Sequence, residues 1–136
     1  MPRLLGVDYG RKRIGLAVSD ELGISTRAIG FVPRSDDVQA ATVVAEMARR
    51  ERAEAIVIGL PLHANGDAGG NVRWVRAFTA ELAKRCALPV HEVDERYSSS
   101  EAEEQLREEG NWPAPKGAVD ARCAVILLRR YLNGER

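Results

Sequence analysis

Cysteine, histidine and lysine are all scarce in this 136-residue chain, and each scarcity removes a class of function. Cys86 and Cys123 stand far apart with no metal-ligand spacing, which argues against a disulfide framework and suits a reduced cytoplasmic setting. His63 and His91 are too isolated for a zinc site and read as surface residues. No Ser/His/Asp or Cys/His arrangement marks a protein nucleophile, and no Walker Gly-x-x-x-x-Gly-Lys-Ser pattern supports nucleoside triphosphate binding. No apolar run approaches the roughly 20 residues of a membrane span. After Met1-Pro2-Arg3 only two leucines precede Gly6 and Asp8, too few for the core of a secretion signal. The expectation is a soluble cytoplasmic protein with no membrane partner.

Net charge is missing as well. Twenty basic residues balance twenty acidic ones, so no global field draws the chain onto nucleic acid. Lys12, Lys84 and Lys116 are the only lysines, and the remaining basic residues are arginines. A planar guanidinium suits bidentate phosphate contacts, although genomic base composition produces the same bias. What is present is a core. With 45% apolar residues and no repeat or low-complexity tract, residues 1–136 read as one domain of ordinary size.

The apolar runs Leu4-Leu5-Gly6-Val7-Asp8-Tyr9 and Arg13-Ile14-Gly15-Leu16-Ala17-Val18 flank Gly10-Arg11-Lys12, which has hairpin length. Ile24 to Val32 is a third extended stretch. The period then changes. Ser35 is the candidate N-cap of a helix in which Val38, Ala41, Val44, Ala45 and Ala48 recur at helical spacing. Ala55 to Leu60 is a buried-type strand stopped by Pro61, Asn71 to Cys86 a helix, and Pro89 to Val93 a short strand. Ser98-x-x-Glu101 and Ser100-x-x-Glu103 both fit a capping box, and Val119 to Leu132 gives the last helix. A meander followed by strand-helix-strand crossovers predicts an α/β fold of ribonuclease H-like architecture. Its five-stranded mixed sheet joins an antiparallel meander to parallel strands, with helices on both faces.

Three acids stand where that topology can gather them. Asp8 lies in an otherwise apolar strand, either as a strand-end residue capping the turn at Gly10 or as a metal ligand aimed into a cleft. Asp94-Glu95 follows the last strand, and alternation lets only one of the two share a side with Asp8. Asp120 near the start of the final helix favours the helix dipole, or descends onto the site. Converging carboxylates repel unless a cation sits among them, and oxygen-only ligation suits Mg²⁺ or Mn²⁺, with two ions able to serve a phosphodiester. Arg11, Lys12, Arg13, Arg96 and Lys116 are candidate contacts to a nucleic-acid backbone, or ordinary solvated charges. Gly59-Leu60-Pro61-Leu62 with Asn65-Gly66 forms a loop that borders the cleft or simply turns the chain. Trp112 stacks a base or covers the core.

Gly6-Val7-Asp8-Tyr9-Gly10 with Arg13-Ile14-Gly15-Leu16-Ala17-Val18-Ser19-Asp20 resembles the opening of the YqgF family, also called RuvX. Val57-Ile58-Gly59-Leu60-Pro61-Leu62, Asp94-Glu95-Arg96-Tyr97-Ser98-Ser99 and Lys116-Gly117-x-x-Asp120 are similar to its later motifs, in order along nearly the whole chain. The resemblance implies a relative of Holliday-junction resolvases and a nuclease that trims the 5′ end of the 16S ribosomal RNA precursor. It also implies catalytic, metal-binding roles for Asp8, Glu95 and Asp120. Tyr97 stands where relatives carry leucine, a place it can fill by packing.

The expected activity is metal-dependent endonucleolytic hydrolysis of structured nucleic acid, leaving a 3′-hydroxyl and a 5′-phosphate. Three rivals stay open. A resolvase of branched DNA would need a homodimer to cut two strands symmetrically. A non-catalytic RNA-binding assembly factor would bind without cutting. A sugar-kinase-like phosphotransferase also opens on Asp-x-Gly, but the chain is short for a two-lobed cleft.

Overall fold

The computed structural model describes residues 3–61 and 71–134. The meander consists of β1 (Leu4–Asp8), β2 (Arg13–Ser19) and β3 (Thr26–Pro33). It is followed by α1 (Asp37–Arg50), β4 (Ala55–Leu60), α2 (Val72–Ala83), β5 (Val90–Asp94), α3 (Ser98–Glu108) and α4 (Ala118–Leu132). The sheet runs β3-β2-β1-β4-β5. β2 is antiparallel to both β1 and β3, whereas β4 is parallel to both β1 and β5. This is the expected mixed sheet. Leu62, His63 and Asn65-Gly66 lie outside the described residues.

Side-chain alternation divides the central strands into two unlike faces. Leu5 and Val7 of β1, Ile14, Leu16 and Val18 of β2, and Ile56, Ile58 and Leu60 of β4 join α1 and α2 in the larger core. Phe78 of α2 is fully buried there and meets the Tyr9 ring at 5.0 Å between centroids. The intervening residues face α4, where Leu4, Ala17, Ala55, Val57 and Val93 pack on Ala124, Val125 and Leu128. α3 lies outside α4, with Ala102 packed against Cys123 and Ile126. Helices therefore cover both faces.

Several helix ends differ from the expectations. The α1 N-cap is Asp36, whose Oδ1 accepts from the Gln39 amide at 2.8 Å, so Ser35 stands one residue too early. α3 begins without either capping box: its N-cap is Tyr97, in the left-handed region at φ 62°, with no side-chain cap. Cys86 lies beyond α2, which ends at Ala83. The apolar periodicity carried on past the point where backbone hydrogen bonding stops.

Candidate active site

A row of three residues across the sheet organises the site. Asp8 ends β1 and pairs with Gly15 of β2; on its other side Val7 pairs with Ile58, so Gly59 of β4 follows alongside Asp8. Laterally paired residues point to the same face, which places Gly15, Asp8 and Gly59 all toward α4. Each glycine is roofed by another acid. A methyl group on Gly15 would run into the Asp120 carbonyl, so the first turn of α4 can settle there only over a bare backbone. A methyl on Gly59 would lie 3.0 Å from both Cβ and Oε1 of Glu95. Asp120 and Glu95 thus flank Asp8, each seated over a glycine.

Glu95 is the acid that shares this side. Its amide donates to the Leu60 carbonyl at 3.1 Å, extending the β4–β5 pairing by one step beyond the strand. Asp94 is engaged elsewhere: its carboxylate accepts from the Arg96 amide and guanidinium, and its carbonyl accepts from Arg130.

The electrostatics follow from this crowding. Asp8 is only 9% exposed, and burial, then the charges of Glu95 and Asp120, hold its carboxyl well above the usual range. Burial likewise raises Glu95 to about 7, helped by Asp94 and opposed by Arg130. Glu95 Oε1 is buried without a hydrogen-bond partner among the described residues. Asp120 is satisfied differently, since its Oδ2 accepts from Arg13 Nε at 2.9 Å in a partly buried ion pair. Arg13 lies two residues before Gly15 and so points to the same face. Among the described residues no three acidic, thiol or imidazole groups form a ready cage for an ion. Asp120 has an oxygen committed to Arg13 instead.

The other basic candidates scatter. Arg11 lies over the Trp74 ring at 4.2 Å, at a cavity of about 180 Å³ that Tyr9, Pro61, Asn71 and Glu95 also line. Lys12 lines a separate groove with Phe31, Arg34 and Gln39. Arg96 holds Asp94, and Lys116 is exposed in the loop before α4. Trp112 is partly exposed with Arg107 over its ring at 4.4 Å, so it does not close the core. Tyr97 does not pack inward like a leucine; it is 69% exposed. His91 is no free surface residue, because its ring stacks on Tyr131 at 5.1 Å. The seating of acids over Gly15 and Gly59 and the Arg13 ion pair are not foreseen from the sequence. Isolated glycines inside strands, the usual sign of close backbone approach, were the signal available.

The RuvX family model, described as Holliday junction resolvase, matches residues 2–134. The chain belongs to the RuvX family. Among its RuvX relatives, a protein of Synechococcus elongatus (strain ATCC 33912 / PCC 7942 / FACHB-805) is 37% identical across 97% of this chain and 89% of its own. One from Anaeromyxobacter sp. (strain K) is 41% identical across 96% of each. Both bear the name "Putative pre-16S rRNA nuclease". RuvC of T. thermophilus, solved with a Holliday junction substrate, superposes with a TM-score of 0.61 at 20% identity, covering 97% of this chain and 94% of RuvC. The fowlpox virus Holliday junction resolvase gives 0.60 at 10% identity, covering 97% and 99%. At those identities the likeness speaks to the fold, which is ribonuclease H-like.

Proposed function

We propose that this protein is a cytoplasmic, divalent-metal-dependent endonuclease that trims the 5′ end of the 16S ribosomal RNA precursor. Glu95 Oε1 carries the reading: a buried carboxylate oxygen without a hydrogen-bond partner among the described residues, beside Asp8, whose ionisation burial and then Glu95 and Asp120 oppose. Burying such a group is costly unless a cation completes it. Oxygen-only donors fit Mg²⁺ or Mn²⁺, and Asp8, Glu95 and Asp120 are the residues that would hold two such ions. Ions bound there would supply an activated water and neutralise charge at a scissile phosphate. The chain's own contribution is position. Asp8 is fixed by sheet pairing on β1, Glu95 by its amide bond to Leu60, and Asp120 by the seating of α4 on Gly15. Arg11, Lys12, Arg13, Arg96 and Lys116 are the candidate backbone-phosphate contacts, which orient a strand without reading its sequence.

The relatives' names make pre-16S RNA the first substrate to try. The family description makes a four-way DNA junction the second, and that reading additionally calls for a homodimer with two sites. End-labelled pre-16S RNA and a four-way junction should be incubated with Mn²⁺, Mg²⁺ or chelator, using the intact protein and Asp8→Asn. Cutting of the RNA only with metal, abolished in the variant, is the expected result. Preferential cutting of the junction would transfer the activity to branched DNA. Salt-sensitive binding without cutting by either protein would overturn the nuclease reading in favour of an assembly factor.

A further inference from the structure

We propose that Arg13 is a built-in counter-cation of the acidic cluster, so that metal loading of this site is an exchange in which Arg13 yields Asp120. The inference rests on the metal-binding reading above and gives Arg13, there only a candidate phosphate contact, a role toward the acids themselves.

Three observations converge on it. Arg13 and Asp120 are paired at 2.9 Å, with side chains only 32% and 25% exposed, so the pair is partly withdrawn from water. Neither partner can drift far at its base: Arg13 sits in β2, and the Asp120 backbone is pressed against Gly15 two residues on. The same three acids nevertheless form no ready ion cage among the described residues, and Glu95 Oε1 is left without a partner. Asp120 is the acid of the three held in an ion pair, by a cation on β2, while Arg130 acts on Glu95 without such a pair among the described residues.

The chemistry makes this cation displaceable. A guanidinium bonds one carboxylate through N–H groups, whereas a divalent ion can bind oxygens of several carboxylates at once and carries twice the charge. Asp120 cannot fully serve both through Oδ2. Once Arg13 lets go, its planar fork stays beside the acids, where a phosphate oxygen is the matching partner. Arg13 is therefore a positioning residue whose two partners are used in turn.

Calorimetric titration of Mn²⁺ into the intact protein without nucleic acid tests the exchange. Removing the competitor in Arg13→Gln should tighten Mn²⁺ binding about 10-fold, a difference of roughly 1.4 kcal/mol. Metal-free Arg13→Gln should melt below wild type, because its acids repel without relief, and should show the larger rise on adding Mn²⁺. Arg13→Lys retains a charge and should lie between the two; it also serves if the glutamine variant fails to fold. In the Asp120→Asn background, Arg13→Gln should gain nothing. Unchanged or weaker Mn²⁺ affinity in folded Arg13→Gln and Arg13→Lys would overturn the proposal, making Arg13 a brace of Asp120, while leaving the metal site intact. Wild-type Mn²⁺ affinity in both Asp8→Asn and Asp120→Asn would instead bring down the metal-binding reading and this inference with it.

Discussion

The two faces of the sheet solve opposite problems with the same strands. Toward α1 and α2, β1, β2 and β4 present Leu5, Val7, Ile14, Leu16, Val18, Ile56, Ile58 and Leu60, bulky groups that fill space around Phe78. Toward α4, Leu4 and Val57 still pack, but the alternate positions around the site hold Gly6, Asp8, Arg13, Gly15, Ala17 and Gly59, groups that leave space or carry charge. A methyl on Gly6 would strike Cγ of Leu128, as one on Gly15 would strike the backbone at Asp120. The difference teaches where stability and chemistry are kept. One face excludes water by volume; the other brings a helix close enough for its first turn to reach the end of β1.

If that division holds, the two faces should fail in opposite ways. Truncation should hurt the bulky face most. Phe78→Ala should cost about 3–5 kcal/mol in urea unfolding, from lost burial and the cavity left behind. Mn²⁺ affinity of the protein that remains folded should be unchanged; a parallel loss would erase the separation of the faces. Enlargement should hurt the other face. Gly15→Ala should cost about 1–3 kcal/mol, since the opposing atoms are backbone and cannot rotate away. It should also weaken Mn²⁺ binding, because α4 must retreat and carry Asp120 with it. Normal metal affinity in folded Gly15→Ala would show that the close seating serves packing alone.

The bulky face was legible in the sequence because short apolar runs bounded by turn residues, such as Ala55 to Leu60 before Pro61, and the helical spacing of Val72, Val75, Phe78 and Leu82 mark buried strands and a helix. The three acids were legible as types of residue at strand and helix ends. Their grouping was legible only as what the topology allows and the resemblance implies, because its detail depends on register: Asp8 beside Gly15, and Glu95 rather than Asp94 turned to Gly59. Alternation alone narrowed that choice to one of two, and only the step past β5 made by the Glu95 amide decides it. The Arg13–Asp120 pair joins residues 107 apart, beyond the reach of any local pattern. Capping failed at α3 for a related reason. Ser98 is buried, and the helix starts from a left-handed Tyr97 rather than from a hydroxyl cap.

The remaining effect expected is a pH dependence that belongs to the α4 face. Glu95 is raised to about 7 from an ordinary 4.5, and Asp8 is raised in the same direction, both chiefly by burial. Well below the ordinary values of 3.8 for Asp8 and 4.5 for Glu95, these groups are protonated whether the chain is folded or not, and their charge costs the fold nothing. As pH climbs from 4.5 toward 7, the unfolded chain releases the Glu95 proton while the folded one keeps it, so unfolding gains. Above that window both states are ionised at Glu95, and its penalty is complete. Metal-free protein should therefore lose stability as pH rises through this range, measured as the urea midpoint at constant ionic strength. Glu95→Gln should flatten that part of the slope, whereas Phe78→Ala should lower the whole curve without changing its shape. Saturating Mn²⁺ should reverse the trend, because a cation favours the ionised carboxylates that burial disfavours. A slope that survives both Glu95→Gln and Mn²⁺ would place the titrating group away from the row of Gly15, Asp8 and Gly59, and the unpartnered oxygen of Glu95 would lose its claim to a cation.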